Sequence, residues 1–408
     1  MNIKKIITLI NQFILALALF NLAGCDEYQK QQSADDNEMI ENRQSILRNP
    51  RQISRLIPIG VKERMSWATD IHRIMNELNI DQSKENVCSV IAIIDQESSF
   101  NANPSVPDLG NKALLTFQTE VPQKFTRQFG STLGPAVVRY LDFVLKNEPS
   151  HDNSFLMQIK KVKTEQDLDL IYRQIFTYIA KQFYADSLAN MAAKVMGKDL
   201  SEENNPITTI GSMQVSVKYA STHQRDHMSM YELRDYLYTR EGGLYYGIHR
   251  LMSYPAEYDK KIYRFADYNS GVYSSRNAAF QQQIAELLKI DIRFDGDLLS
   301  YDRDGQVQAI AGETETALNQ LFAIYDKKMT ADKIRTDLNK EKEAEFEQTA
   351  TYQKVKSIYK QQLSKMPVYA VMPQVVISGP KLKKDHNTNW YASNVNRRFE
   401  ACMRRSKH

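Results

Sequence analysis

A carboxyl group at the end of an apolar run is the first feature of this sequence that could do chemistry. The run is Val87 to Phe100, VCSVIAIIDQESSF. Val87, Val90, Ile91, Ile93 and Ile94 cover most of a helix's circumference, which predicts a helix buried on nearly all sides. Glu97 follows Ile93 and Ile94 at the four- and three-residue spacing that puts side chains on one helix face. A carboxyl group on that face is costly to ionise, so its pKa is expected to rise. Such a group holds a proton at neutral pH and can donate it, which makes Glu97 a candidate general acid. Asp95 is the nearest carboxylate in sequence, and its two-residue offset turns it to another face. A structural glutamate at a helix end is the competing reading of Glu97.

Other side chains offer less. His223 and His227 have the helical spacing of metal ligands, with Asp226 beside them, but lack an obvious third ligand. They read as surface histidines, and no metal, nucleotide or other cofactor is expected. Trp390 and Tyr391 could stack on a sugar ring, although packing of a terminal helix is the simpler role.

The elements that must position Glu97 are helical. The chain has 408 residues, 42% hydrophobic and 25% charged, with 15 glycines and 12 prolines. That is an ordinary globular composition, and helical periodicities outnumber strand-like alternation, so the expected class is all-α. A net charge of +4, with both signs mixed along the chain, gives no reason to expect nucleic acid as a partner.

Ser83 is a suitable N-cap for the Glu97 helix, with Glu85 in its first turn. Trp67, Ile71, Ile74, Met75 and Leu78 predict a preceding helix. NANPSVPDLG after Phe100 must be loop. Helices interrupted at Gly130 and Gly134-Pro135 follow, and Thr164 with Asp167 forms a capping box before another helix. Ile210 to Val215 is a glycine turn opening into a helix. In REGGLYYGIHRLM, residues 240–252, the glycines sit where backbones approach closely. ADYNSG precedes a further helix, RNAAFQQQIAELL. Charged helices span about 313–365, VYAVMPQVVISGP reads as an extended arm, and a last helix runs from about Thr388 to Arg405.

At the amino terminus Lys4 and Lys5 precede an apolar stretch from Ile6 to Phe20, as in an export signal. The stretch ends in Leu22-Ala23-Gly24-Cys25, which resembles the lipobox of bacterial lipoproteins. That resemblance implies cleavage before Cys25 and acylation of it, with several acyl chains giving stable anchoring to a membrane. Residues 25–55 then read as the lipidated cysteine and a polar tether. The mature body is expected in the cell envelope, tethered to the inner or the outer membrane. Cys88 and Cys402 remain as an even pair in an oxidising compartment, so a disulfide is expected, with two buried thiols as the alternative.

Three short motifs occur in a set order: Glu97-Ser98-Ser99-Phe100, Gly211-Ser212-Met213-Gln214 and Asp267-Tyr268-Asn269-Ser270-Gly271. This order resembles the lysozyme-like lytic transglycosylases, with E-S-x-F, G-L-M-Q and A-Y-N-x-G. The resemblance implies Glu97 as the catalytic acid/base. It implies Met213 and Gln214 as residues lining the cleft, and Tyr268 and Asn269 as residues facing the acid. Here the first two motifs lie far apart, Ser212 replaces an apolar residue, and Asp267 replaces the usual alanine. These enzymes cleave peptidoglycan glycan strands with one acid, which suits the lack of an evident second carboxylate. Glycosidases that hydrolyse their substrates normally use two.

A second resemblance spans nearly the whole mature chain. ENVCSVIAIIDQES, MQVSV, REGGLYYG, IYRFADYN, SRNAAFQ, DGDLLSYD and EACM look like the YaiW-type lipoproteins of gamma-proteobacteria. It implies an envelope lipoprotein with some association with peptide uptake. The expected architecture is a signal peptide over 1–24 and a tether over 25–55. A lysozyme-like domain over 56–294 follows, with a helical insertion at about 111–205, and then a helical extension over 295–408 packed on the core. The expected activity is cleavage or binding of peptidoglycan glycan strands. The alternative is a non-catalytic accessory lipoprotein that partners an envelope peptide transporter.

Overall fold

A computed structural model describes residues 43–185, 205–302, 305–377 and 385–405. Cys25, the signal segment and the first part of the tether lie outside the described residues. The described chain is mostly helical, with strands confined to two short antiparallel pairs. No helix among the described residues is long and apolar enough to cross a membrane.

Helix α1 is Pro50–Leu56, α2 is Arg64–Glu77 and α3 is Lys84–Glu97. Ser83 caps α3 by accepting from the Asn86 N–H at 3.3 Å. The side chains from Val87 to Ile94 are all buried. Each large aliphatic among them contributes about 1.5–3 kcal/mol by leaving water, so α3 is the spine of the molecule. It stops at Ser98, and Ser99 and Phe100 then take φ of 50° and 62°. Two successive left-handed residues turn the chain sharply and drive Phe100 edge-on against Trp67, ring centres 5.4 Å apart.

Helix α4, Leu109–Asn147, breaks at Gly130, whose φ of 74° and ψ of 173° are not helical. Gly134 packs bare against Thr126, where a Cβ would meet its Cα at 2.6 Å. Helix α5 is Phe155–Lys161 and α6 is Glu165–Ala185. The Thr164–Asp167 cap is reciprocal: the Asp167 N–H donates to Thr164 Oγ1 at 3.2 Å and the Thr164 N–H to Asp167 Oδ2 at 3.0 Å. The fully buried Asp169 of α6 accepts from Arg234, Arg173 and Asn205, which ties α6 to the segments around 205 and 234.

Strands β1 (Thr209–Ile210) and β2 (Val215–Ser216) pair as a hairpin, and the chain enters α7, Val217–Thr222. Then come α8 (Met230–Leu237), α9 (Arg240–Met252), α10 (Lys261–Ser270) and α11 (Ser274–Leu288). Glycines let α9 press on the hairpin. A Cβ at Gly243 would stand 3.0 Å from Ser212 N, and one at Gly247 would stand 2.4 Å from Met213 Sδ.

Among the described residues the buried apolar side chains form two clusters. One gathers residues from Ile53 to Tyr268, and the other gathers α11 with α12 (Glu313–Tyr325), α13 (Ala331–Leu338) and α14 (Ala350–Leu363). An extended arm then crosses back, with the Val371 N–H on Ser275 O and the Gln374 N–H on Phe294 O. The arm ends in the pair β3 (Val376–Ile377) and β4 (His386–Asn387). The last helix, α15 (Thr388–Arg405), belongs to the first cluster and packs on α3 and α10. Cys402 of α15 is bonded to Cys88 of α3, with Cα atoms 5.6 Å apart.

Candidate functional site

Glu97 is the last residue of α3 and is half-buried. Its Oε1 accepts a 2.5 Å hydrogen bond from the hydroxyl of Tyr391 in the first turn of α15. Tyr391 is buried, and its pKa is pushed well above the ordinary phenol range, first by burial and then by the negative charge of Glu97. It therefore stays a donor at every physiological pH. The sequence placed Tyr391 in packing or sugar stacking; the structure puts its hydroxyl on the carboxyl group itself.

Tyr268 lies in the last turn of α10, beside this pair. Burial raises its pKa, Arg250 opposes the rise and Glu97 adds to it. The Tyr268 hydroxyl donates to Met213 O at 2.8 Å. The structure thus joins two motifs 55 residues apart, the tyrosine turn and the glycine turn. Met213 is fully buried against Gly247 of α9. Gln214, with φ of 49°, has its side chain held by Thr209 and by the buried Glu165 at the start of α6. Asn269 is half-exposed in the last turn of α10.

Segments of 101–106 and 163–166 frame the same region. The Val106 N–H donates to Lys163 O at 2.8 Å, and Asn103 Nδ2 donates to Gln166 Oε1 at 2.8 Å. The start of α6 is therefore stitched to the chain that leaves Glu97. Its Glu165 brings a carboxylate to the Gln214 side chain, which the sequence did not signal.

Arg250, also missed, lies against two tyrosine rings. Its guanidinium carbon is 5.3 Å from the Tyr219 ring centre and 5.5 Å from that of Tyr268. Nε and Nη2 donate to Tyr268 O at 3.3 and 2.9 Å. Tyr219 also stacks on the exposed His223 at 4.1 Å, and its hydroxyl bonds His249 Nδ1 at 2.7 Å. Burial pushes the Tyr219 phenol up to about 12. Burial, then the neighbouring His223, holds His249 below its usual value. His223 and His227 are both exposed, in keeping with their reading as surface histidines, and His223 forms part of a ring stack. The signal for Arg250 was its place one turn beyond the glycines of α9, a helix that must lie against the hairpin.

Asp267, which stands where the resembling motif has alanine, has partners of its own. It is buried and accepts from Tyr258 Oη at 2.5 Å, Tyr254 Oη at 3.2 Å and Ser275 N at 2.7 Å. Burial raises its pKa to about 6, and these donors restrain the rise. It fastens α10 to the start of α11 and so sets where α10 ends and where Tyr268 points. Asp95 pairs with Arg398 at 3.2 Å.

This arrangement can hold a carboxyl group in one orientation, in a partly dry setting, with a fixed phenol donor and a cation nearby. Those are the properties a proton-transferring group or a sugar-binding cleft needs.

The sequence model of the family described as "Protein of unknown function (DUF1615)" matches residues 60–405. The chain is 32% identical over 390 residues to the "Uncharacterized protein YaiW" of Escherichia coli (strain K12), covering 95% of this chain and 96% of that protein. No solved structure matches. Glu97, Met213, Gln214, Tyr268, Asn269, Arg250 and Tyr391 all lie inside the matched span, and the chain belongs to the DUF1615 family.

Proposed function

We propose that the protein is an envelope lipoprotein, anchored through Cys25, whose first apolar cluster is a lysozyme-like core that binds and cleaves peptidoglycan glycan strands. The observation that carries this reading is Glu97, held by Tyr391 at 2.5 Å at the end of a buried helix, with Tyr268 and the Met213 turn beside it. Glu97 is the carboxylate whose charge reaches Tyr268, and Arg250 is the cation. Glu165 is engaged by the Gln214 side chain, which leaves Glu97 as the single acid of this reading, and a single acid suits a transglycosylase better than a hydrolase.

In this mechanism Glu97 gives its proton to the glycosidic oxygen as the C1–O bond breaks. The substrate's N-acetyl group stabilises the oxocarbenium-like centre. The Glu97 carboxylate then takes the proton of the same sugar's 6-hydroxyl, whose oxygen closes on C1, and no water is consumed. Tyr391 fixes the carboxyl group for both transfers. No cofactor enters the reaction.

The experiment is incubation with purified sacculi and mass spectrometry of the products. Anhydro-muropeptides from the wild type, lost in Glu97→Gln, support the enzyme. Sacculus binding by both forms without product reduces the reading to a glycan-binding module.

A second reading has its own observation. Leu115 of α4, Phe143 of α4, Met157 of α5 and Leu170 of α6 are exposed on the inserted helices. They suit an interface with an envelope peptide transporter, the role of an accessory lipoprotein. Photocrosslinking from positions 115 and 143 in intact envelopes tests it; capture of an inner-membrane transporter supports it, and no crosslink at either position removes it.

A further inference from the structure

We propose that the cleft between the α2–α3 turn and the α9–α10 turn binds a phosphate monoester, with Arg264 and Lys261 as its cations. None of the residues in the glycan reading enters this site.

The cleft has a volume of about 470 Å³ and is lined from residues 78–86 and 252–264. Among the described residues Arg234, Arg264 and Arg276 are the buried arginines. Arg234 pairs with Asp169 and Arg276 with Glu347, whereas Arg264, at 9% exposure, is in ion-pair contact with no described carboxylate. A cation withdrawn from water is costly unless an anion or several acceptors meet it. Part of that need is met at the end of α9. Nη1 of Arg264 donates to the Leu251 carbonyl at 2.9 Å and to the Tyr254 carbonyl at 3.3 Å, and the Tyr254 ring centre lies 4.5 Å from the guanidinium carbon. Nε and Nη2 have no hydrogen-bond partner among the described residues, and neither is among the buried atoms left without one. These two nitrogens form the side-on fork of an arginine, and they are open to the cleft that Arg264 lines.

Lys261, one turn back along α10, brings a second cation to the same cleft. Its Nζ lies 3.1 Å from Asn86 Oδ1 and 3.5 Å from Glu85 Oε2. Asn86 is itself fixed, with Nδ2 donating to the Asp81 carbonyl at 3.0 Å. Glu85 is shared with Arg43 at 3.4 Å, so it neutralises Lys261 only in part. Burial lowers the Lys261 pKa, Glu85 opposes the fall, and the charge of Arg264 adds to it. An anion that meets both cations relieves their repulsion. The exposed Asp81 also lines the cleft and opposes that anion.

A phosphate monoester matches this set. It carries about 1.5 to 2 negative charges at neutral pH, and its oxygens can accept the arginine fork and the lysine together. A carboxylate has a single charge to set against the two cations. Leu78, Ile80 and Met252 on the lining suit the organic group that carries the phosphate. That carrier is either a soluble ester or a lipid headgroup.

The test is calorimetry on the full chain in non-ionic detergent micelles, at neutral pH and low salt. Glycerol 3-phosphate is expected to bind about tenfold more tightly than glycerate, which keeps the carbon chain but has a carboxylate. Lys261→Gln and Arg264→Gln should each weaken the phosphate ester about tenfold, and Asp81→Asn should tighten it about twofold. Arg264 also fastens α9 to α10, so Lys261→Gln and Asp81→Asn carry the test if Arg264→Gln does not fold. Dibutyrylphosphatidic acid, the same ester with two short acyl chains, separates the sources. Tighter binding than glycerol 3-phosphate supports the site with a lipid headgroup as its ligand, and equal or weaker binding supports it with a soluble ester. Binding of neither phosphate, equal binding of glycerate, or phosphate binding unchanged in Lys261→Gln overturns the proposal.

Discussion

Tyr391 reaches Glu97 across 294 residues of chain, and its hydroxyl lies 2.5 Å from Oε1. The contact is one end of a two-point attachment. Cys402, about three turns further along α15, is bonded to Cys88, about two and a half turns back along α3. The two helices therefore run antiparallel, joined covalently at one end and by the phenol–carboxyl bond at the other. The carboxyl group that ends α3 is oriented by the last helix of the protein.

Removing the phenol should expose this dependence. Tyr391→Phe keeps the packing but leaves Glu97 without that donor. It is expected to lower urea-unfolding stability at neutral pH by about 2 kcal/mol and to slow anhydro-muropeptide release about tenfold. If both quantities stay at the wild-type level, the hydrogen bond does not serve the site.

The disulfide should contribute to stability more than to chemistry. Cys88→Ala with Cys402→Ala should cost about 2–5 kcal/mol in chemical unfolding, the usual loss for a native bridge. Because Tyr391 sits on the freed helix, the double variant should also loosen Glu97. Hydrogen exchange should then rise in 388–405 before it rises in 84–97. Uniform exchange across both helices would contradict the two-point attachment.

Two buried carboxyl groups should make stability fall as pH rises. Asp267 moves from 3.8 to about 6 through burial, and Glu341 moves from 4.5 to about 7 for the same reason, with Tyr301 and the Leu298 N–H as its donors. Raised acids favour the folded state while protonated, so each contribution is complete below the unfolded value. It is lost as pH passes through the folded value. Asp267 acts between about pH 4 and 6 and Glu341 between about 4.5 and 7, each on the order of 3 kcal/mol. Urea melts across that range should show Asp267→Asn flattening the lower part and Glu341→Gln the upper part.

The glycines of α9 make a steric prediction. A Cβ at Gly242 would stand 2.0 Å from the Tyr236 carbonyl oxygen, so Gly242→Ala should destabilise by about 3 kcal/mol in thermal or urea unfolding. Gly247→Ala meets Met213 at its Sδ and Cβ and should push the hairpin away from α9. That moves the acceptor of the Tyr268 hydroxyl, so Gly247→Ala should impair glycan binding even where the fold persists. Unchanged melting of Gly242→Ala would mean that α9 is not pressed against α8.

Much of the scaffold was legible because its signals are local. Ser83 caps α3, Thr164 and Asp167 cap α6, Gly130 breaks α4, and the closing helix runs over Thr388–Arg405. Each depends on groups within about four residues of one another, which spacing alone encodes. The pairing of Cys88 with Cys402 was expected from the even count and an expected oxidising compartment, and the bridge is present. The grouping of helices was less visible. α11 sides with the helices after it and α15 with the helices before it, and periodicity shows that a helix has an apolar face without naming the face it meets.

The sequence by itself determined the helical class, the spans of several helices, the candidate acid Glu97 and the glycines on which close packing relies; it did not show the hairpin at 209–216 or that ADYNS ends a helix. The tertiary structure decided which side chains meet that acid. Tyr391 comes from far along the chain, Arg250 lies against the rings of Tyr219 and Tyr268, and Asp267 draws three donors into one buried knot. The division has a physical cause. Caps and periodicities are short-range and leave a pattern along the chain, whereas a hydrogen-bond partner hundreds of residues away is selected only when apolar faces pack and bring its helix there.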